Sequence, residues 1–388
     1  MNALRRSYCF SLQSARPLSR AVNAPRRAFS QSSAWQRGAL PVYLEASTPE
    51  LKTLLSELNA KILLPAHLTA EQKKLVFRQE NRTKIESEPI EITLGDVTLP
   101  LQHLDRNRDI PNRKLLLHQL LDLSQTDNDW ENVLRVLEGN ENARLFVQPN
   151  VREKMMRRLL AAGHLNLAIK ALQRSKYTGI RYCDFGTTRF IFFAIHNKAA
   201  ESGWAADETR KALGFAEQAV EGMEDKEHLG KTQSHHMVIA VLLELVAALA
   251  KLHGGDKAPV QKYARRLMHA LTHNHEANTL ISAEVARLQH PSNFSSSTRN
   301  VQIRATRSVL QTLDELLPVW TALRTARTVL GADMPMAEEA QRVEQILGEA
   351  FHSMEEETTR LWVAEPTLPN DSWLLGRMRH LLETARAL

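Results

Sequence analysis

Residues 150–184 read NVREKMMRRLLAAGHLNLAIKALQRSKYTGIRYCD, and the parsing of this stretch decides the fold. Apolar residues return at three- and four-residue intervals on both sides of Gly163, which predicts two helices, 149–162 and 165–176, joined by a turn short enough to force them antiparallel. The same pattern continues outward. Helices are predicted at 112–123 and 128–138 before it, and at 185–201, 206–223, 232–252, 257–272 and 275–289 after it. Hairpins repeated in this way bury each apolar face against the next, so residues 112–289 read as an all-α helical-repeat domain, an α-solenoid.

The flanks differ. Residues 48–105 open with Thr48-Pro49-Glu50, a cap and a proline at the first helical position, and then space Leu51, Leu54, Leu55, Leu58 and Ile62 along a helix ending near residue 64. A more polar helix is expected from Thr69 to about Lys84. The period then switches to two: Ile90-Glu91-Ile92-Thr93-Leu94 and Val97-Thr98-Leu99 alternate around Gly95-Asp96, one short β-hairpin within 89–101. A lone exposed hairpin is marginal, so it must pack on a helix or add to a partner. Residues 290–300, rich in serine, read as a linker. Beyond it, longer helices at 301–330 and 335–363, closed by 372–387, form a C-terminal hairpin and cap over 301–388.

The central window resembles a pentatricopeptide repeat, carried by Leu159, Leu160, Ala162, Gly163, Leu165, Ala168, Ile169, Leu172, Gly179 and Ile180. The resemblance implies a tight turn at the first glycine, close helix approach at the alanine and an end to the unit at the second glycine. It covers this one unit; the flanking hairpins depart from the period, so the domain as a whole reads as similar to pentatricopeptide and tetratricopeptide arrays. In that family, bases are read at the fifth and last positions, which fall on Lys154 and Asp184. A basic face runs over the same hairpin through Arg152, Arg157, Arg158, Lys170, Arg174 and Lys176, with Arg181 and Arg189 in the connector. Such a face meets phosphate, or else is an ordinary solvated helix surface. The bulky cluster Phe190-Ile191-Phe192-Phe193 reads as core.

Charge gives the address. The chain has 50 Lys and Arg against 44 Asp and Glu, yet Arg5, Arg6, Arg16, Arg20, Arg26 and Arg27 lie before any carboxylate, the first being Glu45. An acid-free, arginine- and serine-rich stretch over 1–36 has the composition of a mitochondrial transit peptide. Arg27, Phe29 and Ser30 resemble a fungal presequence processing site, placing cleavage between Phe29 and Arg37. The remaining body carries 44 charges of each sign, which argues against broad electrostatic binding to nucleic acid. Of two cysteines, Cys9 leaves with the leader and Cys183 reads as structural, so no disulfide framework or cysteine zinc site forms. The longest apolar run, Met237 to Ala250, is interrupted by Glu244 and falls short of the about 20 residues of a bilayer span. It reads as a central buried helix.

Catalytic signals are missing. Gly230-Lys231-Thr232 lacks the strand and first glycine of a phosphate loop. His269 and His273, with His275 and Glu276, lack further ligands for a metal. His235 and His236, as helical neighbours, should point about 100° apart, and Glu355–Glu357 read as a hydrated run. We therefore expect no cofactor, no metal and no enzyme, but a protein of the matrix or the matrix face of the inner membrane. Its partner is read as mitochondrial RNA or a ribosomal or translation protein, with a respiratory-complex subunit as the alternative and a cryptic enzyme as a third reading. Mass spectrometry of protein recovered from mitochondria should find an N-terminus between Phe29 and Arg37; an intact Met1 would make the segment a retained basic arm instead.

Overall fold

The computed structural model describes residues 39–87, 90–182, 185–224, 234–273, 275–289, 299–364 and 371–388. The described chain is helical apart from one hairpin, as the pattern required. The transit segment, with Arg27, Phe29 and Ser30, lies outside the described residues.

An extended strap, 39–48, leads into α1 (Pro49–Glu57), where the Thr48 hydroxyl accepts from the Leu51 amide. The chain then widens into a π-turn over Leu58–Leu63 before α2 (Leu64–His67). Pro65 accounts for the widening: it has no N–H to return one turn back, and in a regular helix its ring would strike the Lys61 carbonyl. The single helix expected from Thr69 to Lys84 is two, α3 (Ala70–Phe77) and α4 (Arg82–Ser87), parted by extended Arg78 and a 3-10 turn. The break lets the Leu104 amide reach the Val76 carbonyl at 3.0 Å. β1 (Glu91–Leu94) and β2 (Val97–Pro100) pair antiparallel with Ile92 opposite Leu99. The hairpin packs rather than standing free, because Leu94 and Leu101 are buried and the Leu94 carbonyl accepts from Leu40 of the strap at 3.3 Å.

The rest is helix: α5 (Arg113–Leu123), α6 (Asp127–Asn142), α7 (Pro149–Ala161), α8 (Leu165–Gln173), α9 (Ser175–Thr178), α10 (Phe185–Glu201), α11 (Ala206–Met223), α12 (His236–His253), α13 (Lys257–His273), α14 (His275–Gln289), α15 (Arg299–Leu330), α16 (Ala337–Ala364) and α17 (Asp371–Ala387). The hairpins stack in two rows, with α5, α7, α10 and α12 successive neighbours in one and α6, α8 and α11 in the other. α15 then lies along α12 and also touches α10, α13 and α14, so the C-terminal helices share one core with the hairpins before them. Residues Gly38–Leu388 form one compact unit; of the linker expected at 290–300, residues 290–298 lie outside the described residues and Arg299 and Asn300 already belong to α15.

α12 is buried without a break from His236 to Ala248. Among the described residues it is the one helix long and apolar enough to cross a membrane, and most of it lies inside the protein, covered by α10, α11, α13 and α15. Its polar interruption, Glu244, has no exposed surface. His196 of α10 donates through Nδ1 to its Oε2 at 2.6 Å, and the Thr321 hydroxyl of α15 bonds Oε1. The imidazole is held in turn by the Phe193 ring, 5.7 Å away and stacked, and the Trp204 ring, 5.9 Å away and edge-on. Three helices thus meet at one carboxylate. Glu244→Ala leaves His196 Nδ1 buried without its acceptor, while the Thr321 hydroxyl keeps the Leu317 carbonyl at 3.0 Å, and should cost about 3 kcal/mol in urea unfolding, with Glu244→Gln costing less.

Two further polar groups fasten helix starts. Asp129, fully buried in the first turn of α6, accepts from the amides of Ser47 at 3.0 Å, Gln125 at 3.1 Å and Thr126 at 2.9 Å. Burial pushes its carboxyl up, but the bonds from Ser47, Thr126 and Gln125 outweigh this and hold it at about 2. His235 caps α12, its Nδ1 accepting from the Met237 amide at 3.3 Å. Because it is a cap with extended backbone, the helical 100° rule does not apply to it. Its ring instead lies 4.1 Å from that of His236 and 4.1 Å from that of Phe185, which corrects the expectation that the two histidines diverge. Burial depresses His235 to about 4, and burial together with His235 depresses His236 further. Both groups are lowered in the fold, so the unfolded chain takes up protons first on acidification. Stability should fall once between pH 6.5 and about 4 as unfolded histidines protonate, and again between about 4 and 2, with about 2 kcal/mol lost there through Asp129. In an equilibrium unfolding series His235→Asn, which keeps a cap, should shrink the first phase and leave the share of buried His236, and Asp129→Asn should remove the Asp129 share of the second.

Candidate partner-binding surface

The hairpin singled out in the sequence turns at Gly163 as read, but its second helix, expected to run unbroken over 165–176, breaks at Arg174 into α8 and α9. α7 ends at Gly163, α9 ends at Gly179, and both glycines take the left-handed conformation, φ 85° and 69°, that a side chain resists. Ala168 of α8 is fully buried, and α8 packs against α7.

The basic residues on this hairpin separate into three groups. Lys154 and Arg158 face α5, where the Lys154 ammonium bonds His118 Nδ1 at 2.7 Å and Arg158 pairs with Asp122 at 2.5 Å. Lys170 and Arg174 face α6, pairing with Glu131 at 2.7 Å and Glu138 at 2.8 Å. Arg152 turns toward the end of the hairpin and donates to the Gly179 carbonyl at 2.5 Å. His118 and Asp122 each stand 36 residues before their partners, and Glu138 repeats that spacing with Arg174, so equivalent positions of successive hairpins are joined. Asp184 and Cys183 lie outside the described residues.

Arg157 is placed differently. Its guanidinium lies 5.7 Å from the Phe190 ring, which Arg189 approaches at 4.9 Å. Arg189 is buried and paired with Glu315 of α15 at 3.1 Å; burial raises the Glu315 carboxyl in spite of that pairing. Ile191, Phe192 and Phe193 are buried, as expected of core, whereas Phe190 is half-buried. It lines a cleft of about 910 Å³ between the α7–α8 turn, α10, the start of α11 and α15. Leu160, Leu165, Phe193 and Leu310 contribute apolar wall, and Arg157, Lys198, Glu201, Glu208 and Asp314 contribute charge of both signs. The sequence carried no direct signal for this cleft, since α15 enters it from more than a hundred residues away.

The remaining candidates resolve locally. Glu355 pairs with Arg386 at 2.7 Å and Glu356 with His352 at 3.2 Å. Among the described residues no three His, Cys, Asp or Glu side chains gather as metal ligands. Gly230-Lys231-Thr232 lies outside the described residues.

Comparison with known proteins brings a family to this helical body. The family profile described as Mitochondrial ribosomal protein mS27 matches residues 27–371. The chain belongs to the mS27 family. Small ribosomal subunit protein mS27 of Neurospora crassa is 25% identical over 196 residues, 50% of each chain, so the chain spans about half the length of the curated relative it matches. The mS27 family is mitochondrial and consists of ribosomal proteins, not enzymes, which accords with the leader composition and with the empty search for catalytic motifs. The mS27 match supports a translation partner and lends nothing to the respiratory-complex alternative.

Proposed function

We propose that this chain is a structural component of the mitochondrial small ribosomal subunit, in which the stacked hairpins of 113–223 act as a short solenoid of pentatricopeptide-like units that holds ribosomal RNA or a ribosomal protein. The mS27 match over residues 27–371 carries this reading. The repeat is supported by the left-handed glycines at 163 and 179, by the two rows of helices and by the pairing of positions 36 residues apart. Binding works by shape. Salt links between hairpins hold the rows in register, so the surface offered to a partner is rigid and costs little ordering on binding. Arg158, Lys170 and Arg174 present charge alternating with Asp122, Glu131 and Glu138, Arg152 and Lys154 add cations held by a carbonyl and an imidazole, and Arg157 presents a cation at the cleft.

On a sucrose gradient of lysed mitochondria, tagged chain should travel with the small subunit and stay there at moderate salt; a pool confined to the top of the gradient would reject the proposal. Arg157→Glu with Arg158→Glu should release the chain at lower salt than wild type. Stability should move by less than about 1 kcal/mol, because the Arg158–Asp122 pair is half exposed on both sides. Unchanged retention would remove this face from the binding role.

A further inference from the structure

The ends of the hairpins away from the Gly163 turn carry an unusual combination of side chains. Phe146, in the connection between α6 and α7, is 65% exposed, and Tyr177, on α9, is 49% exposed; they are the two aromatics among the strongly exposed large apolar side chains of the described residues. Each lies under a guanidinium, Arg152 at 5.4 Å from the Phe146 ring and Arg174 at 5.7 Å from that of Tyr177. α9 packs on α6, and Arg152 bridges the two connections through the Gly179 carbonyl, so the aromatics belong to one edge. Arg113 steadies it by donating to the Phe146 carbonyl at 2.6 Å, while Arg144, two residues before Phe146, and Lys176, the residue before Tyr177, are exposed.

Arg144 adds an independent observation. α6 ends with the Leu145 amide on the Asn140 carbonyl at 2.8 Å and the Arg144 amide on that of Glu141 at 2.9 Å, a Schellman closure. That closure needs a left-handed residue, filled by glycine at the ends of α9 and α12 but here by Arg144 at φ 54°. The chain accepts backbone strain at an exposed arginine two residues before Phe146, as it also does at Trp204 and Met336.

We propose that this edge binds single-stranded RNA, with bases stacking on Phe146 and Tyr177 and phosphates meeting Arg144, Arg152 and Lys176. The chemistry fits because every base offers a π face to an exposed ring and cations track the backbone, whereas an acidic peptide would use the cations and leave the rings idle. The inference rests on the ribosomal reading above and names which partner class the hairpins hold, and where.

The test uses full-length chain and a fluorescent single-stranded RNA dodecamer of mixed sequence, read by anisotropy. Phe146→Ala and Tyr177→Ala should each weaken binding about 10-fold, and Tyr177→Phe should leave it intact. Arg144→Gly separates binding from folding: its melting temperature should rise by about 2 °C while RNA affinity falls and the salt slope drops by about one. No binding by wild type, equal binding by the double alanine variant, or a photocrosslink from position 146 to a ribosomal protein in place of RNA would each overturn the inference. Run on the sucrose gradient, a double variant that binds RNA normally and still travels with the small subunit sinks this inference alone, while wild type absent from the subunit sinks the ribosomal reading.

Discussion

A carboxylate with no exposed surface sits in the middle of the most apolar helix of the chain, and the packing of α10, α12 and α15 answers to it. A helix apolar on nearly every side gains much the same hydrophobic free energy in several rotations and registers. Glu244 removes that freedom. One rotation of α12 brings it to His196 and Thr321, and the others bury it unpaired at a cost of several kcal/mol. The joint also couples sequence regions far apart, since His196 precedes Glu244 by 48 residues and Thr321 follows it by 77. The C-terminal helices are locked onto the repeats at the same point that orients the repeats' last member.

The opposite end is closed by different means. A stack of hairpins leaves its first member with an uncovered face, which needs a cap. Here the strap of 39–48 supplies it, held by side chains of α6. The Asn132 side chain both donates to the Leu44 carbonyl at 3.1 Å and accepts from its amide at 2.7 Å, taking the place of a neighbouring strand, and Asp129 holds the Ser47 amide one turn earlier. Leu40 inserts beneath and ties the β-hairpin to the same assembly. The hairpin is therefore part of the cap.

The helices were legible in the sequence because their ends carry local chemistry. Thr48, Thr69, Asn112 and Thr126 all cap as their residue types suggest, and Gly163 and Gly179 close their helices. What stayed illegible depends on partners remote in sequence. The strap has no periodicity, since its bonds run to residues more than 80 positions on. The cations from Arg152 to Arg174 read as one row, because the carboxylates that divide them, Asp122, Glu131 and Glu138, lie on the preceding hairpin and meet them only once the hairpins stack. The cleft beside Arg157 was hidden for the same reason. Phe146 and Tyr177 were passed over because a lone aromatic in a connector carries no pattern; their exposure becomes informative only when the fold sets a guanidinium over each.

This division of charge bears on how a neutral body holds a highly charged particle. Residues 37–388 carry 44 cations and 44 carboxylates, so this body has no net charge to draw RNA from a distance. Much of the charge on the hairpins is spent internally: exposed pairs such as Arg158–Asp122 add little stability but remove two charges from the surface a partner meets. What remains is set by the exceptions, an exposed arginine lining a cleft and a second, strained one two residues before an exposed aromatic. Screening shortens the reach of all of them to about 8 Å at physiological salt, so recognition falls to groups already in contact. On the ribosomal reading proposed above, a body built this way joins its assembly through local fit rather than through a general attraction to RNA.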